Sequence, residues 1–167
     1  MPRLAPRCIV PLLLLSFAPI AAGAQGDPPT SRLTFWASAG YGYGAAGQYA
    51  GMEEAASVNL SAQRGRMLLS LRAAGVTSSI FDWSSDIGLL AGLATSPASR
   101  FHAGAALGVG GAHTTGPDGI RFTIPAEVQL AWRFAPYVGL ALYGFASLNG
   151  DDSFGGVTIA VQAGRLR

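Results

Sequence analysis

The chain has 167 residues, of which half are apolar and only 12% charged; its formal charge of +2 is carried by arginine without a single lysine. That length suits about one domain, and a soluble domain usually carries ~25% charged residues. High apolarity with few charges excludes disorder and charged tails, yet no apolar run reaches the ~18–20 residues of a membrane-spanning helix.

Residues 1–24 read as a secretory signal peptide. Arg3 and Arg7 form the positive region, residues 9–17 form a short apolar core with four consecutive leucines, and Ala22-Gly23-Ala24 is a small-x-small cleavage site. Pro11 and Pro19 break the apolar stretch, which argues against a membrane anchor. Cys8, the only cysteine, leaves with the signal, so the remaining chain has no disulfide or thiolate metal site. Nine arginines then face nine acidic residues. The basic balance therefore belongs to the signal and gives no argument for nucleic acid. Residues 25–31 form a short periplasmic segment, and 32–167 form one further domain.

That domain alternates apolar and polar residues with a period of two, the signature of strands rather than helices. A first strand over 32–43 sets Leu33, Phe35, Ala37, Ala39, Tyr41 and Tyr43 against Thr34, Trp36, Ser38, Gly40 and Gly42. A Gly-rich loop over 44–54 leads to a second strand over 55–63. Arg64-Gly65 turns tightly into a third over 66–76, with Arg72 on its polar face. The fourth strand spans 82–94 and carries Asp86 on the polar face. After a turn over 95–99, the fifth spans 100–113. A loop containing Pro117-Asp118-Gly119 precedes the sixth, over 120–133, which places Arg121, Glu127 and Gln129 on one face. Ala135-Pro136 turns into the seventh over 137–148, a polar loop follows, and the eighth spans 154–166.

Eight strands of roughly 9–14 residues exceed the ~5–6 typical of soluble sheets and suit the ~9–11 of a membrane-crossing strand. The fold expected is all-β: a closed, antiparallel, eight-stranded transmembrane barrel of meander order. Such a barrel is apolar outside and polar inside, so its apolar residues never run consecutively, and closure satisfies every backbone donor. Glycines inside the strands, Gly104, Gly108 and Gly110 among them, would leave lumen space for Trp36, Tyr143 or Phe145. Pro125, lacking a ladder N–H, predicts a bulge or local irregularity in the sixth strand.

This pattern resembles the small eight-stranded outer-membrane β-barrel proteins of Gram-negative-type bacteria, over 32–167. The resemblance implies an outer-membrane location, outer-membrane lipids and the barrel assembly machinery as partners, and a monomer. Such barrels end with a polar-x-Gly-x-x-aromatic assembly signal; here Gln162 and Gly164 match, while Arg167 replaces the aromatic residue.

With the N-terminus in the periplasm, the turns after strands two, four and six are short and periplasmic, and the longer connections face outward. Phe35, Phe101, Trp132 and Phe134 mark the periplasmic rim of an aromatic girdle; Tyr41, Tyr43, Phe81, Trp83, Phe122 and Phe154 mark the outer rim. Arg32, Arg64, Arg66, Arg100, Arg133, Arg165 and Arg167 gather at the periplasmic end, suited to phospholipid phosphates. Glu53, Glu54, Asp82, Asp118, Asp151 and Asp152 gather at the outer end. There Glu53, Glu54, Asp118, Asp151 and Asp152 would bind bridging cations or keep the loops solvated.

Arg72, Asp86, Arg121, Glu127 and Gln129 are expected to form a structural network in a lumen too full to conduct freely. Gly42-Tyr43-Gly44-Ala45-Ala46-Gly47 matches GxGxxG formally, but the helix a dinucleotide site requires is missing. No catalytic residue, metal or cofactor is assigned. His113-Thr114-Thr115 has threonine where lipid A deacylases carry His-x-Ser, and His102 lies at the opposite end. The function expected is a non-enzymatic outer-membrane barrel with a structural or loop-mediated surface role. The alternatives are a narrow porin-like pore or hydrophobic-compound conduit, a lipid-modifying rim enzyme, and a soluble periplasmic β-barrel or sandwich.

Overall fold

In the computed structural model, residues 33–47, 51–77, 83–113, 119–150 and 153–166 are described. The signal-peptide reading, Asp82, Asp118, Asp151, Asp152, Phe81, Arg32 and Arg167 lie outside them. Eight strands follow in chain order: β1 (Leu33–Ala46), β2 (Glu53–Arg64), β3 (Met67–Thr77), β4 (Trp83–Ala94), β5 (Phe101–His113), β6 (Ile120–Trp132), β7 (Val138–Leu148) and β8 (Phe154–Arg165). Each pairs antiparallel with its neighbours, and β8 pairs with β1, closing a barrel of meander order.

The pairing register sets the shape. Followed from strand to strand, Leu33 leads through Arg64, Met67, Leu93, Ala105, Val128, Gly144 and Val157 to Tyr43. The path re-enters β1 ten residues beyond its start. With ~3.3 Å per residue and ~4.8 Å between strands, that stagger over eight strands tilts them by about 40°. Alternation then separates two surfaces. On β3, for instance, Leu68, Ser70, Arg72, Ala74 and Val76 are buried in the lumen, while Met67, Leu69, Leu71 and Ala73 face out.

Two glycine-rich corners bend the sheet. On β5 a Cβ at Gly108 would stand 1.9 Å from the Leu89 carbonyl oxygen; on β1 one at Gly42 would stand 2.1 Å from that of Val157. These glycines let neighbouring backbones fold sharply together, rather than clearing space for Trp36, Tyr143 or Phe145 as the pattern suggests. Gly156 does make room for the Phe145 ring, which a Cβ there would approach to 3.1 Å. Across the β5 corner, the Pro125 ring of β6 packs on Gly88 of β4. Across the β1 corner, the hydroxyls of Ser57 and Thr158 meet at 2.8 Å. The two corners lie on β1 and β5, opposite strands of an eight-stranded ring, and each brings the strands on either side of it, β2 and β8 or β4 and β6, toward one another.

Pro125 produces no bulge. The β5–β6 register is the same on both sides of it, and pairing lapses only between Leu107↔Ala126 and Gly110↔Thr123. The loop expected over 44–54 is also shorter, because β1 continues to Ala46 and β2 starts at Glu53.

Candidate functional site

The lumen is filled in three levels. Near its middle, Arg72 of β3 donates through Nη2 to Asp86 Oδ2 of β4. Its Nη1 donates to the Ala126 carbonyl of β6 at 2.7 Å, and Nη2 reaches the Ala146 carbonyl of β7 at 3.2 Å. The guanidinium also lies 5.6 Å from the centre of the Phe145 ring. One side chain thus ties β3 and β4 to β6 and β7 across the lumen. Directly opposite Arg72 in the ladder is Gly88; Asp86 pairs with Ala74 and is the diagonal neighbour. Glu127 and Gln129 are buried in the same lumen. The Asn59 amide, oriented with its nitrogen toward Glu127, donates to Oε2 at 3.1 Å. Tyr143 Oη accepts from Ser38 at 3.0 Å and from Gln162 Nε2 at 2.9 Å. Arg121 is apart from this group, half-exposed at the loop end of β6. Thr123 and Ser147, linked at 2.7 Å, lie between Arg121 and the centre.

A second cluster closes the terminal end of the barrel, where β1 begins and β8 ends. Arg133, which follows β6, is fully buried. Its Nη1 donates to the carbonyls of Pro97, at 3.1 Å, and Leu166, at 2.8 Å, and its guanidinium sits 4.8 Å over the Trp36 ring. Sequence position places it among the rim arginines facing phosphate; instead it turns inward, because two backbone carbonyls and an aromatic face replace the water it loses. Trp36 meets His102 edge-on at 5.7 Å. The Gln63 amide nitrogen donates to the carbonyls of Gly65 and Thr95, both at 2.7 Å. Its oxygen is thereby left for His102, whose Nε2–H donates at 2.8 Å. Leu166 is buried beside Leu68, Leu90 and Trp36. Alternation alone puts Trp36, Gln63 and His102 inside, but nothing local to residue 133 signals its turn.

A third, apolar level lies toward the loop end, with Val76, Phe145, Phe154 and four alanines. Phe154, expected in the outer girdle, is only 4% exposed and belongs to this core. Its register partner Ala46 is likewise buried, so the inward phase of β1 carries into the start of β8.

The outer surface is an apolar belt. Phe35, Phe101 and Trp132 are exposed toward the terminal end, while Tyr41, Tyr43, Trp83 and Phe122 are exposed toward the loop end. On β2, exposed Glu54 and Arg64 bracket the outward residues Ala56, Val58, Leu60 and Ala62. Their ten-residue separation, at ~3.3 Å per residue and a ~40° tilt, spans about 25 Å along the barrel axis, the height of a membrane barrel's apolar band. Among the described residues, Arg64, Arg66, Arg100 and Arg165 are exposed at the terminal end.

The fold is that of a membrane barrel. It aligns with the crystal structure of Neisserial surface protein A, an eight-stranded outer-membrane barrel, at TM-score 0.53 and 11% identity, over 82% of this chain and 99% of that one. A de novo designed transmembrane β-barrel aligns at TM-score 0.47 and 14% identity, over 83% of this chain and 98% of that one. No family model and no curated protein matches the chain.

At the loop end, Glu53 sits on the first residue of β2 and is buried, while Glu54 is exposed and hydrogen-bonds Tyr41. Both are therefore on a strand end rather than within a loop. His113, exposed at the end of β5, and buried His102, near the start of that strand, occupy opposite ends of the barrel.

Proposed function

We propose that the chain is an integral outer-membrane protein that crosses the bilayer as a non-conducting barrel, with a structural or surface-interaction role exercised at its loop end. The observation that carries this reading is the pairing of an apolar belt about 25 Å high with a lumen filled by side chains. A soluble barrel would gain nothing from exposing Leu60, Leu89, Leu107 and Ile159 on its outer wall, since large exposed apolar patches mark interaction or membrane surfaces. On this reading the terminal end is periplasmic, and its exposed arginines meet phospholipid phosphates. The protein works as a monomer among outer-membrane lipids, after insertion by the barrel assembly machinery.

The non-enzymatic role is supported by His102, which is buried and bonded to Gln63, and by its separation from His113. Nucleophilic catalysis needs a base within hydrogen-bond reach of its nucleophile and of an orienting acid. The non-conducting state is supported by the Arg72 and Arg133 clusters, which tie strands together across the lumen at two levels.

Two measurements test the proposal. Detergent-folded protein is expected to migrate differently on gels before and after boiling; full solubility without detergent would refute the membrane reading. In planar bilayers no discrete conductance steps are expected, and their appearance would favour the narrow pore.

A further inference from the structure

We infer that Glu127 is held in the folded barrel as a neutral acid from mildly acidic to neutral pH, and that loss of its proton loosens the Arg72 strut. The middle of the lumen contains two carboxyl groups, Asp86 and Glu127, and one guanidinium, Arg72. Arg72 is committed to Asp86 and to the Ala126 and Ala146 carbonyls, and it forms no ion pair with Glu127. Glu127 is 4% exposed on the inward face of β6 and has one donor, the Asn59 amide on Oε2, while Oε1 has no hydrogen-bond partner. Gln129, two residues along the same face, donates to neither oxygen.

The charged and titratable groups that bear on Glu127 come from three strands: Arg72 of β3, Asp86 of β4 and Tyr143 of β7. From β2 it meets the neutral Asn59, and its register partners, Ala106 of β5 and Phe145 of β7, carry no charge. The inward residues of β1 and β8 near mid-barrel, Ser38, Gly40, Thr158 and Ala160, do not titrate. An ionised Glu127 would add a second negative charge within the field of Asp86, with one neutral donor in place of its water. Burying a carboxylate without a cation of its own is far less favourable than burying the acid. As an acid, Glu127 keeps Oε2 as the acceptor for Asn59 and leaves only a hydroxyl unpaired. When the proton leaves, two carboxylates contest one guanidinium, and the ties from Arg72 to β6 and β7 compete with the new charge.

The unfolded chain releases the Glu127 proton in the ordinary carboxyl range. Above that range the folded barrel holds one proton more, so rising pH favours unfolding until the folded acid ionises as well. Glu127→Gln keeps the shape and the acceptor for Asn59 but cannot ionise. Between about pH 5 and about pH 6.5, the wild-type unfolding constant in urea should therefore rise about tenfold per pH unit relative to that of Glu127→Gln. Infrared spectra of the folded full chain at about pH 6, above the ordinary carboxyl range, should show a carboxylic-acid carbonyl band that Glu127→Gln removes. Parallel pH profiles, or a band that survives Glu127→Gln, would overturn the assignment. Absence of the band from the parent protein overturns it whether or not the variant folds. Both readouts report the lumen of the folded barrel, in detergent or in vesicles, so failure here leaves the membrane reading standing.

Discussion

Replacing Arg72 by methionine removes the strut between the two walls of the barrel. The substitution keeps most of the aliphatic volume but strands Asp86 without its cation and takes the donor from the Ala126 and Ala146 carbonyls. Breaking a fully buried ion pair by deleting one partner costs ~3–5 kcal/mol, most of it the penalty for the remaining buried charge. Asp86→Asn should cost less, ~1–3 kcal/mol, because Arg72 keeps its two carbonyl acceptors. The double variant Arg72→Met/Asp86→Leu removes both charges and should recover most of the loss, leaving the pair strongly non-additive. Equilibrium urea unfolding from lipid vesicles, followed by tryptophan fluorescence, reads these differences. With a slope of ~2 kcal/mol per molar, Arg72→Met should lower the midpoint by about 2 M. A shift below ~0.5 M, or a double variant no more stable than Arg72→Met, would refute the view that this pair is buried and mutually dependent.

Leu60→Arg puts a charge on the outward face of β2 at mid-belt and should destabilise the vesicle-folded protein by ~2–4 kcal/mol in the same assay; a loss under ~0.5 kcal/mol would mean that this face does not meet lipid. Gly108→Ala should prevent compact folding, seen as loss of heat-modifiable gel mobility, because its Cβ would overlap the Leu89 carbonyl. Gly51→Ala, with open space around it, should behave as wild type. Arg133→Ala removes the hydrogen bonds to Pro97 and Leu166 and the stacking on Trp36. It should expose the β8 terminus to carboxypeptidase at least tenfold faster than in the parent protein, given the ~1.5 kcal/mol or more of a charge-assisted hydrogen bond.

Much of the architecture is legible in the chain because alternation is a local property. The phase of β3 assigns Arg72 to the lumen and Leu71 to the outside whatever the other strands do, and the strand bounds read from the pattern differ from those observed by three residues or fewer. The aromatic residues Phe35, Phe101 and Trp132 emerge outward for the same reason. The errors of facing fall where phase meets an end. Arg133 stands just past β6 and Phe154 at the first residue of β8, and there neighbouring carbonyls or a core decide which way a side chain turns.

The sequence by itself determined eight strands, the face taken by residues within them and the gathering of exposed arginine at one end, while the strand ends at Arg133 and Phe154 escaped it, since facing follows from a period of two and end position from the cost of charge in lipid. Only the tertiary structure decided the ten-residue stagger, which is the sum of eight separate pairings around a closed ring. It also decided that the glycines of β1 and β5 are corners rather than gaps, because what a Cβ would strike depends on the next strand. And it decided that Arg72 bonds carbonyls from β6 and β7, more than fifty residues away, which meet it only because the sheet closes into a barrel and sets them across the lumen.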